Sequence, residues 1–189
     1  MSQVGLTSPE RTRMVEYLRA RAAALGPGEL RARFRAAAAE FEATLATVLE
    51  ADARRSPRAG EWSVAHVADH VAQTMIRSAD ELRHLLAGRR PPAPPVYDGL
   101  VSGAVTWVPW AELVDGVRAA AAEFDRLLPE TAGVGPADSL TVRAILVVNR
   151  PDGEPEVFPG DLTWKEYVLV QRLHLLDHRN QLRRLRGAG

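Results

Sequence analysis

Leu173-His174-Leu175-Leu176-Asp177-His178-Arg179-Asn180-Gln181-Leu182 lies inside a stretch, Thr163 to about Leu185, whose period decides how the chain folds. At its start Thr163-Trp164-Lys165-Glu166 has the form of a capping box, in which Thr and Glu satisfy two otherwise exposed helix N–H groups. His174 and His178, four residues apart, share one helix face one turn apart. At about 100° per residue with His174 at zero, His178 lies near 40°, Tyr167 and Leu185 near 20° and Gln181 near −20°. Lys165, Arg172, Arg179, Arg183 and Arg186 gather between about 120° and 180°. The histidine pair thus faces the apolar side, as do Gln171 and Gln181, and unpaired buried polar groups cost about 1–3 kcal/mol each. A metal ion held by the two imidazoles would satisfy them, because one helical turn matches the bite of a first-row metal site. A pair of hydrogen-bonded core histidines would do so equally well, and spacing alone leaves both readings open.

Upstream, four further segments carry a helical period. Ser8 to about Leu25 begins with an N-cap Ser and Pro9 at the first helical position, and stops at Gly26-Pro27. It is highly charged and only weakly amphipathic, which predicts a lead-in helix packed on the outside. Gly28 to about Ala53 places Leu30, Phe34, Ala37, Phe41, Leu45 and Val48 in one apolar stripe. Ser63 caps a third helix that carries Val64, Val67, Val71, Met75, Leu82 and Leu85 on one side and ends at Gly88. After a Pro-rich connector over 90–95, Pro109 to Leu128 forms the fourth. The β-branched run Thr141–Val148, the turn residues Asn149–Gly153 and a return strand at Val157-Phe158 predict a short β-hairpin between the last two helices. The fold class is therefore all-α, a four-helix bundle with an N-terminal extra helix and one hairpin. Residues 1–27 read as a helical extension and 28–189 as the bundle domain.

Composition narrows the chemistry. The 189 residues hold 24 basic and 24 acidic side chains and no cysteine. A chain this size buries roughly 70% of its unfolded surface, so it needs no structural metal or disulfide. Balanced charge argues against a nucleic-acid or membrane-surface partner. The sequence holds no apolar run long enough to span a bilayer and no signal-peptide core, which predicts a cytoplasmic protein. Without cysteine, the chain has no thiolate nucleophile of its own, and any thiol must arrive as a cosubstrate.

Three other histidines fall on the third helix. His70 sits about 100° from the centre of the Val67/Val71/Met75 stripe and reaches the seam with a neighbouring helix; His66 lies about 40° further out. His66 is also in the first turn, where the helix dipole disfavours the imidazolium, and reads as a partly exposed residue. His84, near the C-terminal end, reads as surface.

Two segments resemble a known family. Glu61-Trp62-Ser63-Val64-Ala65-His66-Val67-Ala68-Asp69-His70 resembles the W-S-x-x-x-x-x-x-H entry to the second bundle helix of the DinB-like (YfiT-like) metal-dependent enzymes. Leu173–Leu182 resembles their last-helix H-x-x-x-H-R-x-Q-L motif. The resemblance covers about residues 28–186. It implies an up-down-down-up bundle in which His70, His174 and His178 hold a divalent ion, zinc or nickel, with His66 outside the ligand set. It also implies kinship with mycothiol-dependent maleylpyruvate isomerase and the bacillithiol transferases, which use a low-molecular-weight thiol.

Those expectations favour a thiol-dependent transferase or isomerase acting on a small-molecule substrate, with metal-water hydrolysis as the variant of the same chemistry. Asp177 or Gln181 would orient an imidazole; Tyr167, otherwise a core aromatic, would contact substrate; Arg143, otherwise a solvated strand residue, would anchor an anion. Two other classes remain: a non-catalytic, stress-related metal-binding or scaffold protein, and a helical interaction module. Leu169, Leu173 and Leu176 form a second apolar strip on the last helix, suited to the lead-in helix or to a homodimer.

Overall fold

The computed structural model describes residues 8–92, 95, 99–129 and 140–187, so residues 1–7 of the extension, 93–94 of the Pro-rich connector and the last two residues lie outside it. Helix α1 (Pro9–Ala24) begins where Ser8 Oγ accepts the Arg11 N–H. α2 spans Pro27–Leu45, α3 is a single turn over Glu50–Ala53, and α4 spans Val64–Leu86 behind its Ser63 cap. A 3-10 turn at Gly103–Thr106 leads into α5 (Trp110–Leu127). Strands β1 (Val142–Asn149) and β2 (Pro155–Leu162) pair antiparallel before α6 (Trp164–Gly187). The capping box forms as expected: Glu166 accepts the Thr163 N–H at 2.8 Å and its hydroxyl at 2.9 Å.

Two elements differ from expectation. The second helix stops at Leu45 rather than Ala53. Thr44 donates its hydroxyl to the Glu40 carbonyl and Thr47 to the Thr44 carbonyl, local bonds that compete with the helix ladder. The break lets Glu50 accept the Trp110 N–H at 3.2 Å, serving the start of α5, which Pro109 leaves without a side-chain cap. The return strand is longer than Val157-Phe158, because pairing with β1 carries it through Pro159 and Gly160, which interrupt its propensity pattern. In a two-stranded sheet each strand keeps a free edge, where a proline is tolerated. A Cβ at Gly160 would stand 2.9 Å from a methyl of buried Leu146.

Side-chain pairs fix the helix directions. Arg31 and Arg35, early in α2, both form paired hydrogen bonds to Asp125 late in α5, while Arg118 in mid-α5 faces Glu42 near the end of α2. These two helices are therefore antiparallel. Arg83 and Glu123, both late in their helices, make α4 and α5 parallel. His70 meets His174 whereas Tyr167 meets Ser78 and Glu81, so α4 and α6 run antiparallel. The sequence is up, down, down, up, and the crossover between the parallel pair requires the long connection after Leu86.

Phe34 and Phe41 of α2, Phe124 of α5, Met75 and Leu82 of α4 and Leu175 and Leu182 of α6 are fully buried, with the Phe34 and Phe124 rings 4.7 Å apart. α1 packs on α6 and β1 and adds Leu18, Ala22 and Leu25 to the same core. Its weak amphipathicity fits this role: one narrow strip is buried, and Arg11 covers the Phe158 ring from outside. Leu169 is buried, and Leu173 and Leu176 pack partly against the core, on the helix that carries α1. Among the described residues no helix is long and apolar enough to cross a membrane.

Candidate metal centre

At the end of the bundle where α4 begins and α6 approaches its close, three imidazoles converge. His174 Nε2 lies 3.0 Å from His70 Nε2 and 3.0 Å from His178 Nε2, and the ring pairs meet edge to face. One ligand atom from each of the three lies within 4.8 Å of the others. The i,i+4 spacing on α6 supplies two of the rings, and the antiparallel α4 supplies the third.

Hydrogen bonds decide which nitrogens carry protons. His70 Nδ1 lies 2.9 Å from the Leu100 carbonyl, and a carbonyl only accepts, so Nδ1 holds the proton and Nε2 presents a lone pair. His178 Nδ1 lies 2.7 Å from Gln181 Oε1, with the same consequence. Two lone pairs therefore point at His174 Nε2, which has at most one proton to offer. Such an arrangement calls for a cation. Metal–nitrogen distances of about 2.0–2.1 Å would set tetrahedral ligands about 3.3 Å apart and octahedral neighbours about 2.9 Å apart, so the donor set fits a divalent ion.

Burial keeps these rings neutral. It pulls His70 below the usual histidine value, only partly offset by the Leu100 bond and the Asp69 charge. Burial, joined by repulsion from His178 and His70, holds His174 well below that value. Burial, joined by repulsion from His70 and partly offset by the Gln181 bond, brings His178 down to about 4. Neutral imidazole is the form that binds metal.

The loop before α5 is fixed by a residue the sequence reading passed over. Asp69, 2% exposed, accepts hydrogen bonds from the Ser102 N–H and hydroxyl, which pins the segment whose Leu100 carbonyl holds His70. Trp62 lies 4.9 Å from the His70 ring, and Gly99 approaches it so closely that a Cβ there would stand 2.9 Å from the indole. Asp69 adjoins His70 in sequence, but a single carboxylate carries no sign of its partner; only the returning loop reveals it. Asp69→Asn puts an amide N–H where one of the two donors now points. It is expected to weaken divalent-ion binding about 10-fold or more, read by competition with a chromogenic chelator, since partners of metal-ligating histidines carry effects of that size. Unchanged affinity would show that the loop holds without the carboxylate.

The cluster forms part of the wall of a cavity of about 690 Å³ between α4, α6 and β1. Gln181 Oε1 faces the His178 ring at 2.7 Å. Asp177 lines the cavity and makes no hydrogen bond to a ring among the described residues; burial raises its carboxyl above the ordinary range. The Tyr167 hydroxyl donates to Glu81 and lies 3.0 Å from Ser78 Oγ, while Arg77 bonds the other Glu81 oxygen at 2.9 Å. Burial first, and then the Glu81 charge, raise the Tyr167 phenol well above its usual value. Arg143 is exposed, borders the cavity and faces Asp161 at 3.6 Å. His66 Nδ1 turns back to Ser63 Oγ at 2.8 Å, and half-buried His84 bonds the Asp80 carbonyl; neither joins the cluster.

Architecture of this kind occurs in solved proteins. The chain superposes on mycothiol-dependent maleylpyruvate isomerase with a TM-score of 0.58 at 18% identity, covering 85% of this chain and 62% of that one. An alanine variant of that enzyme gives 0.57 at 17% identity with the same coverage. YfiT from Bacillus subtilis, described as a probable metal-dependent hydrolase with an unusual four-helix bundle topology, gives 0.52 at 13% identity over 99% of this chain and 93% of that one. The chain has the DinB-like fold. It spans about three-fifths of the isomerase's length, and at these identities the likeness is one of fold. No protein-family model matches the sequence, and no curated protein matches it significantly.

Proposed function

We propose that this chain is a DinB-like metal-dependent enzyme in which His70, His174 and His178 hold one divalent ion, zinc or nickel, and that it catalyses a transfer or isomerisation with a low-molecular-weight thiol as cosubstrate. The observation that carries this reading is the convergence of imidazole lone pairs, their protons directed outward to carbonyl oxygens, on the wall of a cavity large enough for a small molecule. An ion in that position supplies positive charge that lowers the pKa of a thiol or water brought to it. The protein's own contribution is orientation and exclusion of water. Leu100 and Gln181 fix two rings, and Trp62 shields His70. Arg143, on the hairpin side, borders the cavity where an anionic group would meet it, and Tyr167, its one proton already donated to Glu81, serves as part of the cavity wall.

A thiol cosubstrate suits a chain with no cysteine, and a free thiol persists in the reducing cytoplasm. The leucine strip of α6 lies on the helix that α1 covers, so a homodimer would need another surface; solution size measurements decide it.

The metal-loaded and metal-free protein, assayed with a panel of electrophiles and bacillithiol, mycothiol or glutathione, is expected to turn over with one thiol in the loaded form only. Turnover without any thiol would favour metal-water hydrolysis. Silence across the panel from a protein that retains its ion would favour the non-catalytic metal-binding reading.

A further inference from the structure

Two of the three converging rings have their outer nitrogen held by a carbonyl oxygen. His174 does not: its Nδ1 is buried with no hydrogen-bond partner. Among the described residues one other buried side-chain atom lacks a partner, Gln171 Oε1. Both atoms are buried, and a buried polar atom left without a partner costs about 1–3 kcal/mol, which favours a partner within the protein. Gln171, 5% exposed, precedes His174 by three residues on α6, a spacing that makes the two side chains neighbours on one helix face. An amide oxygen turned toward the ring would accept from His174 Nδ1 whenever that nitrogen carries the proton.

We propose that Gln171 is a positioning residue for the candidate metal centre, its Oε1 accepting the His174 Nδ1–H, so that all three rings are held by carbonyl oxygens and turn Nε2 inward. The inference rests on the three-histidine reading of the site. Gln171 and Gln181 then flank the histidine pair symmetrically, each three residues from the ring it holds. An amide suits the metal-free protein too. There His174 Nε2–H donates to one of its neighbours, Nδ1 becomes an acceptor, and the turned amide offers its N–H instead. A leucine at this position fills similar volume and serves neither state. A glutamate keeps an acceptor for the metal-bound tautomer.

The test compares the parent with Gln171→Leu and Gln171→Glu, using zinc alone as the probe. Histidine side-chain ¹H–¹⁵N spectra of the zinc-loaded parent should show a slowly exchanging His174 Nδ1–H with a nuclear Overhauser contact to the Gln171 side chain. In Gln171→Leu that proton exchanges rapidly and zinc affinity falls about 10- to 100-fold, whereas Gln171→Glu restores both. A Leu variant with parental affinity and an unchanged Nδ1–H resonance overturns the proposal. So does absence of the Overhauser contact in the parent, an outcome that stands even if the Leu variant fails to fold. If the parent binds no zinc, the metal reading fails separately, and contact between Gln171 and the His174 ring in the metal-free spectra still decides the positioning role.

Discussion

On the proposed reading the protein is expected to purify with about one divalent ion per chain, and replacing His174 and His178 together by alanine to abolish that retention. Structural zinc sites with four protein ligands are worth about 10–16 kcal/mol, so removing two of three imidazoles forfeits several kcal/mol and lowers affinity about 1,000-fold or more. The remaining His70 would be a single ligand with no chelate. His66→Ala and His84→Ala serve as controls and should retain the ion, because their rings bond to Ser63 and to the Asp80 carbonyl and stand outside the cluster. Elemental analysis of protein prepared without added metal reads the result. Equal metal content in the double variant and the parent would remove the three-histidine site from consideration.

Without metal, the protein should lose stability as pH falls from about 6.5 towards 4. Burial depresses the three rings, so between the ordinary histidine value and the folded value the unfolded chain binds more protons than the folded one. Stability then rises with pH across that window and is fully present above about 6.5. His178, brought down to about 4, contributes roughly 3 kcal/mol over this interval at about 1.4 kcal/mol per pH unit, and His174 adds to it. A bound ion must be displaced before the rings protonate, so the loaded protein should stay level to lower pH. Urea midpoints at pH 7, 6 and 5 for both forms, and for His178→Gln, measure the slope. A metal-free protein equally stable at pH 7 and pH 5 would mean that the rings are not held neutral by the fold.

The bundle helices were legible because apolar residues repeat with helical period and because Ser8, Ser63 and Thr163 cap their helices by local bonds that need no distant partner. Places where the reading fell short involve competition or distance. The end of the second helix turned on Thr44 and Thr47 taking backbone carbonyls, and on Glu50 meeting an N–H 60 residues away. β2 extends through Pro159 and Gly160 because its pairing with β1 outweighs local propensity.

Sequence alone determined that His174 and His178 share an inward face with Gln171 and Gln181, since helical geometry follows from spacing. It also determined that the chain has no cysteine to offer a metal or a substrate. Only the tertiary structure brought His70 to them across 104 residues, closed Leu100 onto its ring through Asp69 and Ser102, and left His174 Nδ1 and Gln171 Oε1, three residues apart on α6, buried without a hydrogen-bond partner. A helix face is a local property of the chain. The direction of a lone pair is set by whatever the fold places behind the ring.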